Sequence, residues 1–342
     1  MNEESSELGA VQAAMGARAR LRQWADGGQV VDLLHAAATA GWLDALTVPT
    51  TLNALASASG VSAERARRVV EVFLAAGVIR TWDDPSPVFV LTEEFAALNE
   101  GPAGVRLDDT IDDIAAARDR VRSAVSPVAR FDWERDALVV ARNWGMLPTA
   151  ASKAVFAMAF DSVPEYRDRL SAGGTLLDVG SGIGGALLAS LTMFPALRAV
   201  GVERADDVVK ELRERAEAAG VTSRLEIRQA DAQELDDETV HEVAYWAQAF
   251  FPRDARATTL AAVRRALVPG GLLLVQELSP PAQDSPDAHL HSALDALVAD
   301  SRGVLPVRTA EELAAELRNG GFEDVQVTAT PVGRLVVGRR GN

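Results

Sequence analysis

No cysteine occurs anywhere in the 342 residues. That excludes disulfide staples, thiol nucleophiles and cysteine-ligated zinc. Histidine is scarce as well, with 4 in the chain, so an imidazole base or ligand has few possible sources. No apolar run approaches the ~18 to 20 residues that a membrane span requires. The opening residues, MNEESSELGA, are acidic and hold no apolar core of signal length, so the expectation is a cytoplasmic protein with no membrane partner. Basic residues are outnumbered, with 34 Lys and Arg against 49 Asp and Glu and a net charge of −15. A phosphate-binding surface depends on clustered Lys and Arg, so no nucleic-acid partner is expected.

What is present is globular material, 48% hydrophobic and 24% charged, of a length that predicts two domains or one large one. Three segments are expected. Residues 1–103 begin with a helical stretch over 1–25 and a second helix with apolar residues at Val30, Leu33, Leu34, Ala37, Trp42, Leu43 and Leu46. A short helix over 51–58 ends at Gly60, another opens at Ser62 and ends at Gly77, and two strands over 78–82 and 88–92 flank Asp83 to Pro87. Short helices followed by a hairpin compose a winged-helix module. Its basic residues are few, so it reads as a dimerisation or lid module rather than a DNA reader. Residues 104–170 form helices over 107–125, 133–144 and 150–160, natural walls for a substrate pocket.

Residues 171–342 alternate strand and helix. Strands are expected at 176–179, 196–203, 225–231, 241–248 and 272–277, with a closing hairpin over 325–332 and 334–340 and a loop over 279–287. Helices are expected over 206–219, 254–267 and 309–320, the last opened by a Thr309/Glu312 capping box. The fold class is therefore α/β: a Rossmann-like seven-stranded domain preceded by an α-helical, winged-helix domain.

The stretch GTLLDVGSGIGGALLAS, residues 174–190, organises the rest. An apolar strand runs into Gly180, Gly182, Gly184 and Gly185, and a buried-type helix follows. Glycine permits φ > 0 in a sharp strand-to-helix turn and lets a ligand lie against the backbone. The helix N-terminus adds unpaired N–H groups. Asp178, at the end of the strand, would repel a pyrophosphate but suits an ammonium or sulfonium. That points to S-adenosylmethionine rather than a dinucleotide. Glu203 ends the second strand and can accept two hydrogen bonds from ribose hydroxyls; Asp231 ends the third and can accept from an adenine amino group, with the Ala232 N–H reaching a ring nitrogen. Any one such acid is commonly a helix cap, but three with the glycine turn outweigh that reading.

The segments DVGSGIGG, VGVE, QADAQE and ALVPGGLLLVQE resemble the ordered motifs of class I S-adenosylmethionine-dependent methyltransferases. The front end and helical middle resemble the small-molecule O-methyltransferases within them. The resemblance implies methyl transfer to a small, aromatic specialised metabolite by a homodimer interlocked through the N-terminal domain. It implies cofactor contacts from Asp178, Gly180, Ser181, Gly182, Gly184, Glu203, Arg204, Asp231, Ala232 and Trp246. Trp144, Met158, Phe250 and Phe251 would wall the acceptor.

That family places a catalytic His just after the fourth strand. Here AQAFFP puts Gln248 in its place, and an amide cannot take a proton from a hydroxyl. The family's supporting Glu is not evident in RGVLPVRT, residues 302–309. Three readings stay open: an acceptor that needs no base, a carbon acceptor, or a cofactor-binding protein that no longer transfers methyl groups, whether a ligand-responsive regulator or a fold recruited to other chemistry. Gln248 is expected to orient the acceptor by hydrogen bonding. His291, one helical turn from Asp287 and from Asp295, is the remaining candidate base. The same trio could be half of a metal site; a solvated helix face is the simpler reading, and no metal is assigned. His35 and His241 read as structural.

Overall fold

A helix of 37 residues, α1 (Glu3–Thr39), opens the computed structural model, which describes residues 3–83, 87–100, 104–126, 133–278, 286–331 and 333–341. The two helices expected there are divided at a different place. Residues 3–39 are continuous, and the break falls at Gly41, whose φ of 75° separates α2 (Trp42–Ala45). Backbone contacts divide the chain into two units, Met1–Gly101 with Arg106–Asp112 and Pro102–Val105 with Asp113–Asn342.

In the first unit α2 is followed by β1 (Thr50–Thr51), α3 (Leu52–Ser59) and α4 (Ala63–Ala75). The side chains of Thr51 and Ser62 accept N–H groups at the starts of α3 and α4, and Gly60 ends α3 in the left-handed conformation. Next come β2 (Ile79–Asp83), β3 (Pro87–Leu91), α5 (Glu93–Glu100) and the first turns of α6 (Leu107–Ser123). The strands form an antiparallel sheet in the order β1-β3-β2, and Leu34, Trp42, Leu46, Leu55, Phe73 and Leu91 fill the core beside it. The tip of the expected hairpin, 84–86, lies outside the described residues, as does 279–285 of the expected loop.

The second unit holds α7 (Trp133–Trp144), α8 (Ala150–Asp161), α9 (Pro164–Ser171), β4 (Thr175–Val179), α10 (Gly185–Met193), β5 (Arg198–Glu203), α11 (Asp206–Ala218), β6 (Leu225–Gln229) and β7 (His241–Trp246). It continues with α12 (Arg256–Ala266), β8 (Leu267–Gln276), α13 (Pro286–Ser301), α14 (Ala310–Asn319), β9 (Phe322–Thr330) and β10 (Gly333–Arg340). The sheet order is β6-β5-β4-β7-β8-β10-β9, parallel from β6 to β8 and antiparallel through β10 and β9. Strand β8 starts earlier than expected, taking in Pro269–Gly271, opposite which the register with β7 shifts.

Alternation along β4 decides the layers. Leu177 and Val179 pack with α12 and α14, while Leu176 packs with α8, α9, α10 and α11 on the other face. The chain leaves β4 towards β5 and β6, then crosses to β7 on the other side of β4. That reversal opens a crevice at the carboxyl end of β4, where ligands of such sheets bind. The capping box expected at Thr309 and Glu312 is present. Buried Glu277 adds a second tie, accepting the Ala310 N–H at 3.0 Å and both Nε and Nη2 of Arg334 at 2.7 and 2.6 Å.

At the opposite edge His241 is fully buried, with Nε2 3.3 Å from Asp237 Oδ2. Burial outweighs the attraction of Asp237 and holds its pKa below the ordinary 6.5. Below that value the unfolded chain binds a proton that the native state resists, so stability falls as the pH drops from 6.5 towards the depressed native value. A His241→Leu variant is therefore expected to lose less of its urea midpoint than the wild type between about pH 7.5 and about pH 5.5. Equal losses would remove His241 from the acid response.

Candidate active site

The turn after β4 is made by glycines at φ 76° (Gly180), 53° (Gly182) and 91° (Gly184). The N–H groups of Gly180 and Ser181 both donate to the Val202 carbonyl at 3.0 Å, which fastens the turn to β5. A Cβ at Gly184 would meet Leu212 at 2.5 Å, and one at Gly180 would meet the Phe251 ring at 2.7 Å. These two glycines serve packing. Gly182 differs, because a Cβ there would meet only Ala141 at 3.9 Å. The space above it is open to a ligand.

Glu203, the last residue of β5, holds this turn. One carboxylate oxygen accepts the Gly182 N–H at 3.1 Å, and the other accepts those of Arg204 and Ala205 at 2.8 and 3.0 Å. An ionised carboxylate has about four acceptor positions, so one remains for a ligand hydroxyl. The sequence reading gave Glu203 only the ligand role; its duty as an anchor depends on how β4 and β5 pair.

Asp178 lies under the turn, 2% exposed, and its Oδ1 has no hydrogen-bond partner. Burial, with the nearby charge of Glu203, pushes its pKa up to about 7. Asp231, just past β6, accepts the Gln233 N–H at 2.9 Å, and its other oxygen is 3.9 Å from Arg204 Nη1. The order β6-β5-β4 therefore sets Asp231, Glu203 and Asp178 in a row along the carboxyl edge. Ser181 is buried and donates its hydroxyl to the Asp178 carbonyl at 2.9 Å, and Ala232 is buried beside Asp231.

The end of α7 packs on the turn, since Gly145 abuts Ile183 and a Cβ on Gly185 would meet the Met146 nitrogen at 3.1 Å. This brings in Trp144, whose ring meets Phe250 edge-on at 5.8 Å. Phe251 meets Trp246 the same way at 5.6 Å. Trp144 and Met158 are 45% and 42% exposed, and Phe250 and Phe251 are half-buried.

Two expected residues face elsewhere. Trp246 is fully buried on the α12 side of the sheet, with the Arg256 guanidinium 4.8 Å over its ring, so it supports Phe251 and offers no surface to a ligand. Gln248 is also buried. Its Nε2 donates to the Gln276 carbonyl at 3.2 Å, its Oε1 accepts from Arg256 Nη2 at 3.0 Å, and its own carbonyl accepts Arg256 Nη1. Glu316 holds Arg256 from the far side at 2.6 Å, and Arg308 joins Glu316 at 3.0 Å. The amide expected to orient the acceptor is thus engaged by the core. Arg256 and Glu316 were missed because no local spacing links α12 to α14.

His291 is a surface residue, 76% exposed and 3.2 Å from Asp295 Oδ2. Among the described residues no group of three or more His, Asp or Glu is arranged to hold a metal, and no helix is long and apolar enough to cross a membrane. A cavity of 320 Å³ lies at the amino ends of the strands, lined by Thr175, Arg198, Arg224 and His241. Ligands of parallel sheets bind at the carboxyl ends, so the glycine turn and not this cavity is the candidate site.

Residues 176–271 match a family model described as a methyltransferase domain. No curated protein sequence matches the chain. Among solved structures it is similar to the mitomycin 7-O-methyltransferase MmcR, at 22% identity over 97% of this chain and 100% of that one, with a TM-score of 0.68. Human N-acetylserotonin methyltransferase, solved in complex with SAM, is 17% identical over 95% of this chain and 98% of its own, with a TM-score of 0.67. CalO1, a methyltransferase in calicheamicin biosynthesis solved with SAH bound, is 23% identical over 99% of each chain, with a TM-score of 0.60. At these identities the likeness is one of fold.

Three features suit S-adenosylmethionine at this turn: the open space at Gly182, the unpartnered Asp178 oxygen and the spare acceptor position on Glu203. A ligand ammonium beside Asp178 favours its ionised form. Binding at low pH must then first remove a proton from a group whose pKa is about 7. Calorimetric affinity for S-adenosylhomocysteine should rise about tenfold from about pH 6 to about pH 8 and level off above, with proton release in the lower range. An Asp178→Asn variant should show a flat profile. A wild-type profile as flat as the variant's would detach Asp178 from the ligand.

Proposed function

Residues 176–271 are a methyltransferase domain, and from that premise we propose that the chain moves the methyl group of S-adenosylmethionine to a small aromatic specialised metabolite, as a cytoplasmic homodimer. The observation that carries this reading is the open position at Gly182 in the turn above buried Asp178, together with the Trp144–Phe250 ring pair formed by the end of α7 and the loop after β7. The likeness to MmcR, a mitomycin 7-O-methyltransferase, and to CalO1, a methyltransferase in calicheamicin biosynthesis, favours a natural-product acceptor.

When bound, S-adenosylmethionine supplies a sulfonium methyl that a nucleophile can take by in-line displacement. Asp178 faces the cationic end, Gly182 lets it approach, Glu203 accepts a ribose hydroxyl, and Asp231 with Ala232 reads the adenine. Trp144, Phe250 and Phe251 hold the acceptor ring and exclude water, so proximity and desolvation do the work. The loop over 247–252 contains no ionisable side chain, and the Gln248 amide is committed to Arg256 and Gln276. The acceptor's own ionisation therefore provides the nucleophile, a phenolate oxygen or an enol carbon. Gln248 acts through the loop, keeping Phe250 and Phe251 in place.

In turnover assays with a panel of phenols and enols, run with S-adenosylmethionine kept saturating at every pH so that the Asp178 ionisation drops out, the pH at which the rate levels off should track each acceptor's pKa. A common pH midpoint for all acceptors would reveal an enzyme base and overturn this mechanism. The commitment of Gln248 to the core equally suits a protein that only binds the cofactor. S-adenosylhomocysteine binding with no single-turnover methylation of any acceptor would favour that second reading.

Homodimer formation is supported by α1, which exposes Val11, Met15, Leu21 and Trp24 at 55, 69, 60 and 58%. Apolar surface of this kind on one helix fits a covered interface. Sedimentation should give a dimer for the wild type and a shift to monomer for Trp24→Asp; a monomeric wild type would refute the assembly.

A further inference from the structure

Charged side chains are buried together in the helical part of the second unit, and the chemistry above uses none of them. Asp113 and Arg120 lie two turns apart on α6, and Asp136 and Asn143 two turns apart on α7, so each pair shares a helix face. Arg120 pairs with Asp136 at 2.9 Å, the side chains 9% and 7% exposed. Arg302, one residue past α13, donates from Nη2 to Asp113 Oδ1 at 3.1 Å, and Asn143 donates to Oδ2 of the same carboxylate at 2.9 Å.

As mere packing this seam is a poor choice. Ion pairs taken out of water gain little net stability, and well-packed apolar groups often do as well or better. The arrangement is also lopsided. Both oxygens of Asp113 are engaged, whereas a guanidinium has five N–H donors. Arg302 spends a single hydrogen bond on Asp113, and its buried Nε has no partner. Desolvation holds its pKa below the ordinary value, so the site holds a cation that a further anion would stabilise.

The position of Arg302 links it to the acceptor wall. The next residue, Gly303, accepts the Arg253 N–H at 2.9 Å, and Val304 bridges to Pro252. Pro252 and Arg253 follow directly on Phe250 and Phe251. On the other side Asn143, which shares Asp113 with Arg302, precedes Trp144, and Trp144 meets Phe250.

We propose that Arg302 is a specificity-determining residue of the acceptor site and that the acceptor carries a carboxylate. Asp113, itself fixed by Asn143, holds the guanidinium from one side, and the donors it leaves over take the carboxylate. The acceptor is then an aromatic acid whose ring lies against Trp144 and Phe250 and whose ionised group is fixed by Arg302. This rests on the methyl-transfer reading of the same site.

The experiment is calorimetry on the full chain with and without S-adenosylhomocysteine. The probes are 4-hydroxybenzoate, 4-hydroxyphenylacetate and 4-hydroxyphenylpyruvate, each beside its neutral carboxamide. At least one carboxylate is expected to bind about tenfold or more tightly than its carboxamide, as a charge-assisted hydrogen bond allows. Arg302→Gln should abolish that preference while leaving S-adenosylhomocysteine affinity unchanged. Arg302→Lys, which keeps the charge towards Asp113, should fold and retain part of the preference, and circular dichroism checks both variants. Equal binding of acids and amides, a preference that survives Arg302→Gln, or no binding of any acid at millimolar concentration would overturn the proposal. Failure of S-adenosylhomocysteine alone to bind would instead strike the methyl-transfer reading, because the acid-to-amide comparison is read without it.

Discussion

The glycine turn after β4 has almost nothing of its own to hold it. Its residues adopt positive φ at Gly180, Gly182 and Gly184, and glycine has no side chain with which to anchor such a path. The Glu203 carboxylate supplies the missing restraint by taking the N–H of Gly182 and those of Arg204 and Ala205, while the Val202 carbonyl takes two more. Much else leans on this. Helix α10 starts from the turn, the end of α7 packs on Ile183, and the open position at Gly182 exists only while its N–H is fixed from below. The same carboxylate keeps one acceptor position free, so the group that anchors the turn is also the one a ligand hydroxyl could meet.

Two buried charge arrangements in this unit differ in their degree of satisfaction, and the difference separates scaffold from site. Around Arg256, donors meet acceptors: Gln248 and Glu316 take up its N–H groups, and Trp246 covers its face. A network so matched in low dielectric makes its surroundings rigid, and it sets the loop that bears Phe250 and Phe251. At Asp178 one carboxylate oxygen has no partner, and burial raises its pKa to about 7. A buried group left unsatisfied at the mouth of a sheet crevice is where a ligand's charge has most to offer. The seam around Asp113 and Arg302 lies between these limits, with the carboxylate satisfied and the guanidinium not.

Local signals along the chain carried most of the architecture. Ser62, Thr309 and Gly60 mark helix ends because capping is a matter of neighbouring residues. The run from Leu176 to Gly185 reads as strand, turn and helix because apolar content, glycine and helix composition follow within one short segment. Where local signals were ambiguous, boundaries moved. Residues 3–25 and the stretch after them merged into α1, which continues through Gly27 and Gly28 and stops only before the left-handed Gly41. Strand β8 reaches back over Pro269–Gly271 because β7 pairs with it through an irregular register.

The amino-acid sequence by itself determined the α/β class, the glycine turn and the three acids that end or follow their strands, because each depends on residues close together in the chain. Only the tertiary structure decided which way those residues face. It put Trp246 and Gln248 on the α12 and α14 side, because alternation along β7 and the demand of Arg256 for acceptors are set by elements far apart in sequence. It left His291 in solvent. It also brought Asp113, Asn143 and Arg302 together from α6, α7 and the end of α13, a meeting that no spacing in the chain announces. The candidate cofactor residues were legible because they lie along the edge of one sheet. The residues proposed for the acceptor come from distant helices, and only folding brings them together.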